Sequence, residues 1–134
     1  MIHIEYITEE IFWNIIKQMG WKKFEDKDKL YEQVSYRLYN TYTKDTIKLL
    51  EELKNKMLMT LQTSIPEEMK SCFSDDSFHY LSTHIIGLGK DKFYEVIDCP
   101  HLMIIMGESH NYNEGFDYCF IEPKVKKDGV QILI

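Results

Sequence analysis

Ser74-Asp75-Asp76-Ser77-Phe78-His79-Tyr80-Leu81-Ser82-Thr83-His84-Ile85-Ile86-Gly87-Leu88-Gly89 is the stretch that decides the fold. A serine followed by two aspartates is a helix start. The hydroxyl accepts a first-turn amide, and each carboxylate faces the positive helix end, worth about 0.3–1 kcal/mol. Phe78, Leu81 and Ile85 then recur at helical spacing. Gly87-Leu88-Gly89 reads as a C-cap and tight turn. It lacks the preceding strand and third glycine of a dinucleotide loop. The spacing predicts a helix from Asp75 to about Ile86, with Phe78, Leu81 and Ile85 in the core.

Working outward, the same grammar recurs. Thr8 caps a helix that opens with Glu9 and Glu10, carries Ile11, Phe12, Ile15, Ile16 and Met19 on one face, and ends at Gly20. Asp28 is placed to cap a second helix, Lys29 to about Tyr39, after a charged connection over 21–28. Thr43 caps a third, Lys44 to Gln62, with a stripe of Ile47, Leu50, Leu53, Met57, Leu58 and Leu61. Pro66 opens a short segment with Ser64 near its cap. A further helix covers Lys90 to Ile97 before Pro100, and His101–Met106 adds a turn or two, stopped at Gly107.

Beyond Gly107 the texture changes. Glu108 to Gly115 is polar and turn-rich, and Phe116–Ile121 reads equally as helix or strand. Lys124–Ile134 reads as a hairpin turning at Asp128-Gly129. Residues 2–7 alternate apolar and polar, so a small sheet can join the termini. The expected fold is mostly α: a compact single domain over residues 1–134, built from five or six helices, with room for a terminal β hairpin or sheet. At this length roughly two-thirds of the unfolded chain's surface is buried, enough for a core.

The balance of charge narrows the partners. Net charge is −6, and Arg37 is the only arginine. That disfavours nucleic acid and acidic partners and leaves a basic one open. Cys72, Cys99 and Cys119 are odd in number with no CxxC, and read as reduced thiols of a cytoplasmic protein. Met1-Ile-His-Ile-Glu does not read as a signal peptide, and no apolar run reaches the ~18 residues of a membrane span.

Candidate site residues are few. Asp75 and Asp76 offer a carboxylate pair, although helix capping accounts for both. His79 lies four residues after Asp75 and three after Asp76, so a carboxylate within the helix can orient it as a general base requires. His84 falls about 140° round from His79 at roughly 100° per residue, on the apolar side, and reads as a partly buried structural histidine. The polar loop from 107 to 115 adds Glu108, His110, Asn111, Tyr112, Asn113 and Glu114, and such loops carry function more often than core helices. No cofactor and no metal site are expected, because the cysteines and histidines lack ligand spacing. Oligomeric state is open.

Three pieces together resemble the bacterial family of domains of unknown function 4240. They are Thr8-Glu-Glu-Ile-Phe12-Trp13-Asn14-Ile15-Ile16; Ser74-Asp75-Asp76-Ser77-Phe78 with Tyr80; and Ile86–Gly89 with Phe93-Tyr94 and Pro100. The resemblance covers about residues 8–105 and leaves 107–134 as an extension. It implies a predominantly helical fold. Some members also carry a nucleic-acid-associated module, for which this sequence shows no counterpart. Where the family pattern places an arginine and a tryptophan, this chain has Ser82 and His84. The resemblance implies no catalytic residue.

Two functional expectations follow, from different classes. The first is a small protein-binding module, immunity-like in masking a basic partner. The second is an enzyme or small-ligand binder built on Asp75, Asp76, His79 and the 107–115 loop, which requires a concave pocket at His79. A nucleic-acid-linked regulator is a third, weighed down by the acidic charge.

Overall fold

Helix α1 (Glu9–Met19) starts where Thr8 holds extended backbone and its hydroxyl accepts from the Ile11 amide. It ends at Gly20, left-handed at φ 71°, whose N–H returns to the Lys17 carbonyl. The computed structural model describes residues 1–21, 30–110 and 112–123. The expected Asp28 cap, the connection 22–28 and the hairpin over 124–134 lie outside them. After the gap come α2 (Leu30–Thr41), α3 (Lys44–Ser64, capped by Thr43), the single turn α4 (Glu67–Lys70) and α5 (Asp75–Leu88). Then follow α6 (Lys90–Asp98), α7 (His101–Glu108) and a 3-10 helix over Phe116–Phe120.

Seven α-helices therefore stand among the described residues, against five or six expected. The one-turn α4 after Pro66 counts as one. Another arises because the chain bends at Cys99 (φ −137°, ψ 80°) and Pro100 restarts it, so α6 and α7 are separate. Pro66, not Ser64, sits at the cap of α4. No strand forms among the described residues. The alternation at 2–7 meets only the turn between α2 and α3, giving one parallel bridge from Ile2 to Tyr42. The Ile2 amide donates to the Thr41 carbonyl and Ile4 N–H to the Thr46 hydroxyl. An edge one turn long cannot extend that pairing into a sheet.

Helix α5 is the centre. It touches α1, α3, α6, α7 and the 3-10 helix, and every residue from Leu81 to Gly87 is buried. Ser74 caps it, accepting from the Ser77 amide. Leu81 and Ile85 are fully buried, while Phe78 is partly covered at the edge of the core. Gly87 is not a helix end. It lies one residue inside α5, where a Cβ would fall 2.3 Å from Trp21 Cδ1 and 2.9 Å from Phe116 Cδ1. The missing side chain lets two core aromatics approach the helix backbone. The cap role belongs to Gly89 at φ 112°.

The 3-10 helix is tied to α2 by two side-chain-to-backbone hydrogen bonds. Ser35 donates to the Ile121 carbonyl and Tyr39 to that of Phe120, each at 2.6 Å. Those bonds, with Phe116, Cys119 and Phe120 in the core, hold the intervening Asp117 in one place.

Candidate functional site

Three elements distant in sequence bring together one polar line. Lys54, on α3, occupies the same helix face as Ile47, Leu50 and Leu61 and is as buried as they are. A buried ammonium requires an anion. Asp117 of the 3-10 helix supplies it, Nζ to Oδ1 at 2.5 Å, with the Phe120 ring centroid 5.4 Å from the same nitrogen. The other oxygen of Asp117 meets His79 Nε2, also at 2.5 Å. Exposure rises along the line, from 4 % for the Lys54 side chain to 32 % for Asp117 and 43 % for His79.

Charge follows from this geometry. Burial pushes the Asp117 carboxyl up, but the bonds and charges of Lys54 and His79 outweigh it and hold the group below its ordinary value. Asp117 is therefore ionised at neutral pH and only accepts. His79 Nε2 must then carry a hydrogen. In the neutral ring Nδ1 is left as the lone-pair nitrogen, the atom that takes a proton or a donor from outside. Lys54 and Asp117 thus fix the tautomer of a histidine at the edge of solvent.

That histidine borders a cavity of about 160 Å³ between the start of α5 and the 3-10 helix. Asp76, Tyr80 and Thr83 line it from α5, and Gly115, Asp117 and Tyr118 from the other side. Gly115 is left-handed at φ 94°, and this turn leads directly into the 3-10 helix that carries Asp117. The Tyr118 ring is 44 % exposed and lies 5.3 Å from that of Tyr31. The Tyr80 phenol is pushed up, first by Tyr118, then by desolvation and by the charges of Asp76 and Glu114.

The sequence-predicted residues are divided by this arrangement. Asp76 and His79 share the cavity. Glu108, His110 and Tyr112 line a different one, of about 300 Å³, with Cys72, Ser74 and Ser77. Asp75 is exposed at the helix start and borders neither. Asn111 lies outside the described residues. The expected convergence of the 107–115 loop on His79 is thus limited to Gly115. Nor does a carboxylate of the same helix orient His79; Asp117, 38 residues away, does so. His84 is 2 % exposed, more deeply buried than expected. Its Nδ1 accepts from Trp21 Nε1 at 3.0 Å and from the Asn113 amide at 3.2 Å, a structural role.

Lys54 and Asp117 are the residues that sequence reasoning missed. A signal existed for Lys54: it falls seven residues after Ile47 and seven before Leu61, in the middle of an apolar helix face. A lysine there needs a buried partner. Nothing local marks Asp117 as that partner. The three cysteines are free, Cys119 buried and the others exposed. Among the described residues no group of three or more His, Cys, Asp or Glu is placed to hold a metal ion, and no helix is long and apolar enough to cross a membrane.

A family model described as protein of unknown function (DUF4240) matches residues 7–122. The match runs past the 8–105 span of the motifs and takes in Lys54, His79 and Asp117. No curated protein and no solved structure matches the chain. Ser82 and His84 are both buried. Ser82 donates to the Phe78 carbonyl at 2.6 Å, and the His84 ring accepts from Trp21 and Asn113.

Proposed function

The chain belongs to the DUF4240 family, and from that premise and the geometry above we propose that it works by binding a ligand in the cavity beside His79. His79 Nδ1 is the acceptor that meets the ligand. The observation that carries this reading is the Lys54–Asp117–His79 line. Burying a lysine against an aspartate is expensive when hydrophobic packing would serve as well. Here the pair orients an imidazole at the wall of a concave site, as a binding or proton-accepting histidine requires. Catalysis is one use of such a group, and binding alone is another.

The test is a ligand-observed and protein-observed fragment screen by NMR on the wild-type chain and on His79→Ala. Hits that perturb Thr83, Tyr118 and the His79 ring, and vanish in the variant, support the reading. Hits confined to the cavity of Glu108, His110 and Tyr112 count against it.

A second reading keeps the chain as a module that masks a basic protein. It is favoured by the net charge of −6 and by the exposed Tyr118, which shares the cavity rim with Asp76 and with Tyr80, itself near Glu114, since tyrosine at an acidic rim suits an interface. Affinity capture with the purified chain separates the two: a stoichiometric basic partner whose binding survives His79→Ala supports the module and not the His79 site.

A further inference from the structure

We propose that the group bound in the His79 cavity is a cationic nitrogen, an ammonium or guanidinium carried on a short chain. This rests on the reading above and names the ligand's chemistry. Three independent features of the cavity select it.

The first is the direction of its hydrogen bonds. Asp117 is an acceptor held ionised, Asp76 is a carboxylate, and with Nε2–H given to Asp117 the His79 ring, in its neutral form, keeps Nδ1 as a lone pair. The Thr83 hydroxyl already donates to the Tyr80 carbonyl at 3.0 Å. The Tyr80 and Tyr118 hydroxyls bond to one another, and the rest of the wall offers acceptors and asks for a donor-rich ligand.

The second is the absence of a competing cation. Among the described residues no lysine or arginine lines the cavity. Lys54, behind it, is 3 % exposed and committed to Asp117. Lys54 and Asp117 cancel, so with the His79 ring in its neutral form Asp76 and the nearby Glu114 leave the site negative. The positive end of α5 does not reverse this, because Ser74 caps it and Asp75 and Asp76 lie in its first turn.

The third is the shape and the walls. About 160 Å³ accommodates one side-chain head or small amine, not a nucleotide. Tyr80 and Tyr118 line it, and tyrosine faces attract cations that are partly stripped of water.

The experiment is NMR titration of the full chain at constant ionic strength, following the His79 ring and Tyr118 signals. The probes are methylguanidinium, methylammonium, acetamide and acetate, on wild type and Asp76→Asn. Asp76 is exposed on the helix surface, so this variant keeps the fold. Saturable shifts with the two cations, and about a tenfold weaker affinity in Asp76→Asn, are the expected result, matching one charged hydrogen bond lost. Shifts from acetate or acetamide with the cations silent overturn the cationic class and leave the His79 site standing. No probe of any charge reaching His79 overturns both. A short arginine or lysine peptide forms the last arm. Tighter binding than the free cation assigns the group to a protein partner, and equal binding assigns it to a free small molecule; both support the cationic class.

Discussion

Asp117→Asn is the substitution the polar line feels most, and its cost follows from unequal burial. The Lys54 side chain is 4 % exposed and that of Asp117 32 %. Removing the carboxylate's charge leaves an ammonium in the interior with no anion. Stripping one partner from a buried pair costs about 3–5 kcal/mol. Partial access of water through Asp117 puts this case near the lower end, about 3 kcal/mol. Lys54→Met removes the buried charge with similar volume and leaves Asp117 with His79 and solvent, so about 1–2 kcal/mol is expected. The double variant strands no charge inside the protein. It should therefore lose less than the sum of the singles, by about 1–2 kcal/mol. Urea unfolding followed by far-UV circular dichroism measures all three. At about 4 °C per kcal/mol, Asp117→Asn melts roughly 12 °C below wild type. Additivity within about 0.5 kcal/mol, or a larger loss from Lys54→Met than from Asp117→Asn, would refute the reasoning.

Three further outcomes test other parts of the structure. Gly87→Ala in an open helix would stabilise by about 0.5–1 kcal/mol; here the new Cβ meets Trp21 at 2.3 Å, so a net loss of about 1–3 kcal/mol is expected in the same urea assay. Because Asp117 is held below its ordinary value of 3.8, its contribution is complete above that pH and disappears as pH falls through the lower folded value. The stability of wild type should therefore drop more steeply than that of Asp117→Asn below about pH 4, as pH-dependent unfolding would show. Burial holds the Cys119 thiol far above its ordinary range, so a thiol reagent should label Cys72 and Cys99 in the native protein and reach Cys119 only on unfolding.

Helix starts and stops were legible because they are local chemistry. Thr8, Thr43 and Ser74 each cap the helix that their own neighbours specify. The central position of α5 was legible too, from its apolar content and its glycines. What Gly87 does was not, since the reason for it is Trp21, 66 positions earlier in the chain and packed across the helix backbone. The site divides in the same way. His79 could be singled out as a histidine near carboxylates, but the carboxylate that holds it is on a 3-10 helix whose secondary structure the aromatic-dense 116–121 stretch left ambiguous. Lys54 was hidden by the habit of reading lysines as surface residues, although its spacing from Ile47 and Leu61 puts it in the core. The polar loop looked like one site because its residues are adjacent in sequence. In three dimensions the end of α7 and the turn after it place Glu108, His110 and Tyr112 in one cavity and Gly115 in another.

Asp117 accepting from Nε2–H leaves Nδ1 as the acceptor nitrogen of His79. Long-range proton–nitrogen NMR of the His79 ring, at a pH where the ring is neutral, reads this directly. A single tautomer with the hydrogen on Nε2 is expected in the wild-type chain, and mixed tautomers in Asp117→Asn. A hydrogen found on Nδ1, or the same mixture in both proteins, would contradict it.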